Sequence, residues 1–100
     1  MAESRTYIVS FSLVLGKDLP TRLIETENLI EGLCDDYRKI ARNTYICKTK
    51  STIRDFMRVL NRLTDSDKIL QYICVDVQGA NYGAHCEDEK TNWIRDAIDG

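Results

Sequence analysis

The chain has 100 residues, 43% of them hydrophobic, with 14 basic and 16 acidic side chains for a formal charge of −2. That is one small domain with one core; the apolar content excludes intrinsic disorder, and no run approaches the roughly 20 apolar residues that cross a bilayer. The opening MAESRTYIVS lacks a basic stretch leading into an apolar one, so a secretory leader is not expected and the cytoplasm is the expected compartment.

Residues 6–15, TYIVSFSLVL, are β-branched and aromatic without a breaker and predict a strand. One face carries Tyr7, Val9, Phe11 and Leu13, the other Ile8, Ser10, Ser12 and Val14. Neither is strongly polar, which predicts a central strand. Gly16-Lys17 turns the chain and Asp18 is the expected N-cap, with Pro20 in the first turn. Leu19, Leu23, Ile30, Leu33 and Tyr37 then recur at helical spacing, and Glu25, Glu27 and Glu31 between them read as a solvated face; Gly32 weakens the end. Residues 38–49, RKIARNTYICKT, predict two short strands meeting near Asn43, the second from Thr44 to Thr49.

Ser51-Thr52 opens a second helix, with Thr52 and Asp55 spaced as a capping box and Ile53, Phe56, Met57, Leu60 and Leu63 as its apolar stripe. Thr64-Asp65-Ser66-Asp67 is a turn cluster, and residues 69–77, ILQYICVDV, are the last clear strand. From Gly79 the chain becomes glycine-punctuated and acidic, so residues 79–100 are expected as a tail on a domain spanning 1–78, with a short helix at 91–98. Strand, helix, strand, strand, helix, strand is the split βαβ order of the ferredoxin-like fold: an α+β sandwich of a four-stranded antiparallel sheet with both helices on one face. The open face then calls for cover, and a homodimer is the expected solution, with Tyr7, Val9, Phe11, Tyr45 and Tyr72 as its contacts. Base stacking by Tyr7, Tyr45 and Tyr72 is the weaker alternative.

Charge is distributed in blocks. Arg38, Lys39, Arg42, Lys48, Lys50, Arg54, Arg58 and Arg62 face only Asp55 between residues 38 and 62, whereas residues 16–37 and 86–100 are net acidic. Arg54, Arg58 and Arg62 stand at i, i+4 and i+8, one row pointing away from the apolar stripe. The plainer reading of such a run is a solvated face neutralised by the chain's own acidic helix or tail. The functional reading is a ridge, with Arg42, Lys48 and Lys50, that contacts phosphates or an acidic protein.

Sites for chemistry are few. Cys34, Cys47, Cys74 and Cys86 are too widely spaced for a zinc knuckle, and with His85 alone to join them no metal site is expected; nor is a disulfide framework. His85 beside Cys86 is not a nucleophile pair, because adjacent side chains diverge. No phosphate-loop or dinucleotide motif is present, and no small-molecule cofactor is expected.

The segments YIVSFSL, NTYICKT and STIRDFMRVLNRLTDSDKILQYICVDV resemble the small CRISPR-associated ferredoxin-like proteins of spacer acquisition, the Cas two-like family, and more closely the compact SinR-like proteins. The resemblance covers residues 5–78 and is carried by Phe11-Ser12-Leu13, Asn43-Thr44-Tyr45 and Asp65-Ser66-Asp67. It implies a dimer working with nucleic acid or a nucleic-acid-processing machine, in one version a mobile-element protein that modulates host defence. Nuclease members carry an aspartate at the end of the first strand for metal-dependent cleavage; here that position is Ser12, a poor ligand for Mg²⁺. The remaining carboxylate is Asp76, whose simpler role is a solvent-facing strand residue. A binding protein without catalysis is therefore expected, with a Mg²⁺-dependent nuclease on a rearranged site as the alternative.

Overall fold

The computed structural model describes residues 4–13, 19–66, 69–83 and 87–100. The turn at Gly16-Lys17, the cap at Asp18, Asp67, and both His85 and Cys86 lie outside the described residues. In chain order the elements are β1 (Arg5–Leu13), α1 (Leu19–Glu31), β2 (Asp36–Ala41), β3 (Thr44–Thr49), α2 (Ile53–Asp65), β4 (Ile69–Asp76) and α3 (Asp88–Asp99). The strands form one antiparallel sheet in the order β2-β3-β1-β4.

Strand periodicity decides what each face holds. Tyr7, Val9 and Phe11 alternate along β1 and stand opposite Cys47, Tyr45 and Tyr72 on its neighbours. All three, with Tyr45 and Cys47, are buried against Ile30 of α1 and Phe56, Leu60 and Leu63 of α2. This corrects the expected dimer contacts: Tyr7, Val9, Phe11 and Tyr45 are the domain's own core. Tyr72 is half-buried on the same cluster, its hydroxyl donating to Asn61 Oδ1 at 2.6 Å. Aromatic rings gave the two helices the larger apolar area, so this face closed within one chain.

The capping box of α2 forms as its residues predict: Thr52 Oγ1 accepts from the Asp55 backbone N–H at 3.2 Å, and Asp55 Oδ2 accepts from the Thr52 N–H at 3.3 Å. Helix α1 stops earlier than the apolar spacing predicts, with Leu33 in the following turn and Tyr37 in β2.

The C-terminal stretch is not a detached tail. Helix α3 starts three residues before Thr91 and buries Ile94, Ala97 and Ile98 on the sheet face opposite α1 and α2, with Ile46 buried beneath them and Ile8, Val77 and Trp93 packed alongside. Its last carbonyls, which no helical N–H can reach, are satisfied by the rest of the fold. Thr6 Oγ1 donates to Ala97 O at 2.6 Å, and Gln78 Nε2 donates to Ala97 O and Ile98 O at 3.2 and 2.9 Å. The Gly79 N–H reaches Ile98 O at 2.7 Å from a turn with φ of 72°, a conformation glycine adopts without strain. The side of this face formed by Ser10, Ser12, Gln71, Ile73 and Val75 carries no helix among the described residues.

Candidate nucleic-acid interface

Helix α2 rises about 6 Å for each four residues, so Arg54, Arg58 and Arg62 form an exposed row about 12 Å long. Arg58 lies 3.8 Å from Asp55, a loose and exposed pair of little energetic weight. Neither Arg54 nor Arg62 has an ion-pair partner among the described residues. Glu27, Glu31 and Glu89, from the acidic segments on either side of the basic block, are engaged elsewhere. Glu27 accepts from Lys39 Nζ at 2.7 Å and from the Tyr45 hydroxyl at 2.8 Å, and Glu31 accepts from Tyr45 and Tyr37 at 2.9 and 2.8 Å. Glu27 and Glu31 are therefore not part of a solvated face. Glu89 of α3 takes the Arg38 guanidinium, which lies 4.8 Å from the Trp93 ring, while Trp93 Nε1 donates to Asp36 at 2.8 Å.

Beside the row runs an open groove of about 650 Å³ lined by Ile53, Arg54, Met57, Arg58 and Asn61. Met57 is 44% exposed, a large apolar surface next to two guanidinium groups. The Tyr72 hydroxyl occupies Asn61 Oδ1, which leaves the Asn61 amide N–H groups to donate outward. Spacing alone puts Met57 in the core stripe; its place on the rim of that stripe, 100° from Phe56, is the signal that separates them.

The other expected ridge residues do not join this row. Lys48 shares a sheet face with Ile46 and stands opposite Thr6, on the side occupied by α3. Arg42 sits in the β2–β3 hairpin, at the far end of β3 from Lys50. Lys50 precedes the Ser51-Thr52 entry to α2, its N–H bonded to Asp35 Oδ2 at 3.1 Å. The helical row itself is Arg54, Arg58 and Arg62, with the exposed Lys50 just before its N-terminal end.

Ser12 and Asp76 are also apart. Ser12 stands opposite Gln71 and lines a shallow 200 Å³ depression with Ser10 and Ile73. Asp76 stands opposite Tyr7, five β1 residues or about 17 Å along the strand. Its carboxylate accepts from Arg5 Nε at 2.6 Å and the Gln78 N–H at 3.0 Å. Burial alone would raise this carboxyl, but Arg5 and the Gln78 N–H outweigh it and hold it below the usual aspartate value. Among the described residues no three His, Cys, Asp or Glu side chains converge as a ligand set for a cation.

Cys34, Cys47 and Cys74 are free thiols. A hydrogen bond with Cys34, together with burial, raises the Cys47 thiol far above its ordinary value, and burial pushes Cys74 up to about 11. Neither is a thiolate nucleophile at neutral pH. No helix among the described residues is long and apolar enough to cross a membrane. No protein-family model matches the chain, and no curated protein or solved structure matches it either.

Proposed function

We propose that the chain is a small, non-catalytic binding module of ferredoxin-like, Cas two-like or SinR-like kind that grips the phosphate backbone of a nucleic acid along α2. The ferredoxin-like reading is supported by the order βαββαβ with an antiparallel sheet ordered β2-β3-β1-β4 and α1 and α2 on one face. The single observation that carries the function is the exposed row of Arg54, Arg58 and Arg62, in which the one ion pair among the described residues is the loose Arg58–Asp55 contact. Stacked like charges at i,i+4 cost the helix a few tenths of a kcal/mol each, and a polyanion turns that cost into attraction. Work beside a nucleic-acid-processing machine in the cytoplasm, including the modulation of host defence by a mobile element, belongs to the same proposal and rests on the family resemblance.

The nuclease alternative is disfavoured by the separation of Ser12 from Asp76 and by the ion pair that occupies Asp76. Fluorescence anisotropy with labelled single- and double-stranded DNA and RNA tests the binding reading. Neutralising three phosphates gives a log–log salt slope of about −2.1 (single strands) to −2.7 (duplex DNA), so affinity should fall about 20- to 40-fold between 50 and 200 mM salt. The triple substitution Arg54→Gln/Arg58→Gln/Arg62→Gln should weaken binding at least about tenfold and flatten the slope, with a urea midpoint no lower than that of wild type. No binding at low salt, or a triple variant that binds normally, overturns the reading; in that case an acidic protein captured by the row is the result that redirects it. Mg²⁺-dependent cleavage abolished by Asp76→Asn would overturn the non-catalytic part.

A further inference from the structure

Helix α2 is walled on two sides and open on a third. Phe56, Leu60 and Leu63 are buried against the sheet, and Val59 shares a shallow depression with Leu29 of α1. Two helices side by side, each about 10 Å across, are wider than the major groove of a duplex at about 12 Å. Helix α2 therefore does not enter a duplex groove, and a duplex meets only its outer face, through phosphates. The free flank is the one toward β4, where the Tyr72 hydroxyl reaches Asn61.

Two rows run along this flank, one position apart. Ile53, Met57 and Asn61 are spaced i, i+4 and i+8, as the arginines are. Each step of four residues overshoots a full circle by about 40°, so the arginine row drifts round the helix toward α1. Arg54 and Arg58 consequently border the groove with Ile53, Met57 and Asn61, whereas Arg62 lines the depression beside Leu29 and Val59. Within the groove the two arginines are rooted about 6 Å apart along the axis, and the 44% exposed Met57 lies between them in height. At one end Asn61 presents its amide N–H groups, because its Oδ1 is taken by Tyr72. None of the five lining residues is acidic.

We infer that this groove takes one unpaired nucleotide of a single strand: its phosphate between Arg54 and Arg58, its base on Met57, and an acceptor atom of the base edge on the Asn61 amide. The inference rests on the nucleic-acid reading of the arginine row and adds to it what lies beside the phosphates. A nucleobase offers a flat apolar face and edge acceptors one sugar away from a phosphate, which is the arrangement the groove complements. The thioether of Met57 is a polarizable surface suited to an aromatic ring, and a guanidinium plane stacks on the same ring. In a duplex the base faces are stacked and their edges paired, so phosphates hold the arginines while Met57 and Asn61 gain nothing. A run of carboxylates satisfies the arginines too and leaves Met57 in water. Every base has a π-face and an edge acceptor, so the site senses an unpaired base and tolerates its identity. Tyr72 is a positioning residue here: it holds the Asn61 amide with its donors outward.

Anisotropy with labelled strands of about 12 nucleotides tests this: a mixed-sequence single strand, its duplex, and an abasic strand with the same phosphates and no bases. Wild type should bind the complete single strand about three- to tenfold more tightly than the abasic one. Met57→Ala, which keeps a good helix former at an exposed position, should lose that same factor on the complete strand. It should bind the duplex and the abasic strand as wild type does, with the salt slope unchanged because no phosphate contact is lost. Circular dichroism and urea unfolding check that the variant is folded, and the abasic comparison needs no variant at all. Equal affinity for complete and abasic strands overturns the inference and leaves the arginine row standing. So does a folded Met57→Ala that loses single strand and duplex alike, or neither. A poly-glutamate peptide bound more tightly than the complete strand overturns it in favour of an acidic protein. If none of the three nucleic-acid probes binds at about 50 mM salt, the nucleic-acid reading itself falls and this inference with it.

Discussion

Phe56→Ala should destabilise the fold by about 3–5 kcal/mol, the largest effect of any substitution considered in this chain. Phe56 is 0% exposed and sits where α2 meets the centre of the sheet. Its ring meets Tyr7 edge-on, with centroids 5.4 Å apart and planes at 83°, an arrangement favoured by the ring quadrupoles. Tyr7 in turn donates its hydroxyl to Ser51 O at 3.0 Å, at the entry to α2. One aromatic pair thus sets both the depth of the helix and the position of its first turn. Truncation removes the ring's transfer free energy and leaves a cavity that the flanking Leu60 and Val9 fill only in part. A domain of this size holds about 5–15 kcal/mol in total, so the variant loses a large fraction of its stability. Urea unfolding of wild type, Phe56→Leu and Phe56→Ala checks it, with Phe56→Leu expected between the other two. A Phe56→Ala midpoint equivalent to a loss below about 1 kcal/mol would show that α2 is not seated by this ring. Because α2 also carries the arginine row, Phe56→Ala should lose binding and fold together at its lowered urea midpoint, whereas the arginine substitutions should separate the two.

What the residues reveal on their own divides by the range of the interactions involved. The capping box of Thr52 and Asp55, the hairpin near Asn43 and the β-branched runs of β1, β3 and β4 are local signals, and each element stands where those signals put it. The inward face of β1 is not local. Tyr7, Val9 and Phe11 compete with Ile8, Ser10 and Ser12, and the outcome is set by Phe56, about fifty residues away along the chain, pressing on one of them. The helix at 91–98 is legible, but the docking of α3 on the sheet is hidden for a related reason. Its buried stripe is only Ile94, Ala97 and Ile98, and its docking depends on Thr6, Gln78 and Gly79 meeting its carbonyls, contacts that no window of the C-terminal segment contains. For the basic residues, helical spacing placed Arg54, Arg58 and Arg62 in one row, but strand parity sent Lys48 to the opposite side of the sheet.

The second large effect lies in the carboxylates that spacing alone assigned to solvent. Tyr45 is 0% exposed, and its single hydroxyl proton is shared between Glu27 and Glu31, at 2.8 and 2.9 Å. Burial, then the two carboxylates, raises the Tyr45 phenol well above its ordinary value, so it stays a donor at every physiological pH. Burial alone would raise the Glu27 carboxyl as well. The hydrogen bonds from Lys39 and Tyr45, with the lysine charge, outweigh that and hold it below its ordinary value of 4.5. A group whose folded pKa is depressed stabilises the fold fully above its unfolded value and loses that contribution as pH falls through the folded one. The Glu27 contribution is therefore present at pH 7 and is lost below about pH 4.5. Its side chain is only 18% exposed, so solvent screens little of this. Tyr45→Phe removes one donor from two half-buried carboxylates and should cost about 2–3 kcal/mol at pH 7, the value of a hydrogen bond to a charged group plus a residual desolvation penalty. Without that donor the Glu27 pKa moves up toward its unfolded value, so Tyr45→Phe should also lose less stability than wild type between pH 5 and pH 3. Glu27→Gln should remove the Glu27 part of that loss altogether. Urea midpoints of the three proteins at pH 7, 5 and 3 decide it; three parallel pH profiles would show that Glu27 titrates alike in the folded and unfolded chain, and that the bonds from Tyr45 and Lys39 do not hold α1 to the sheet.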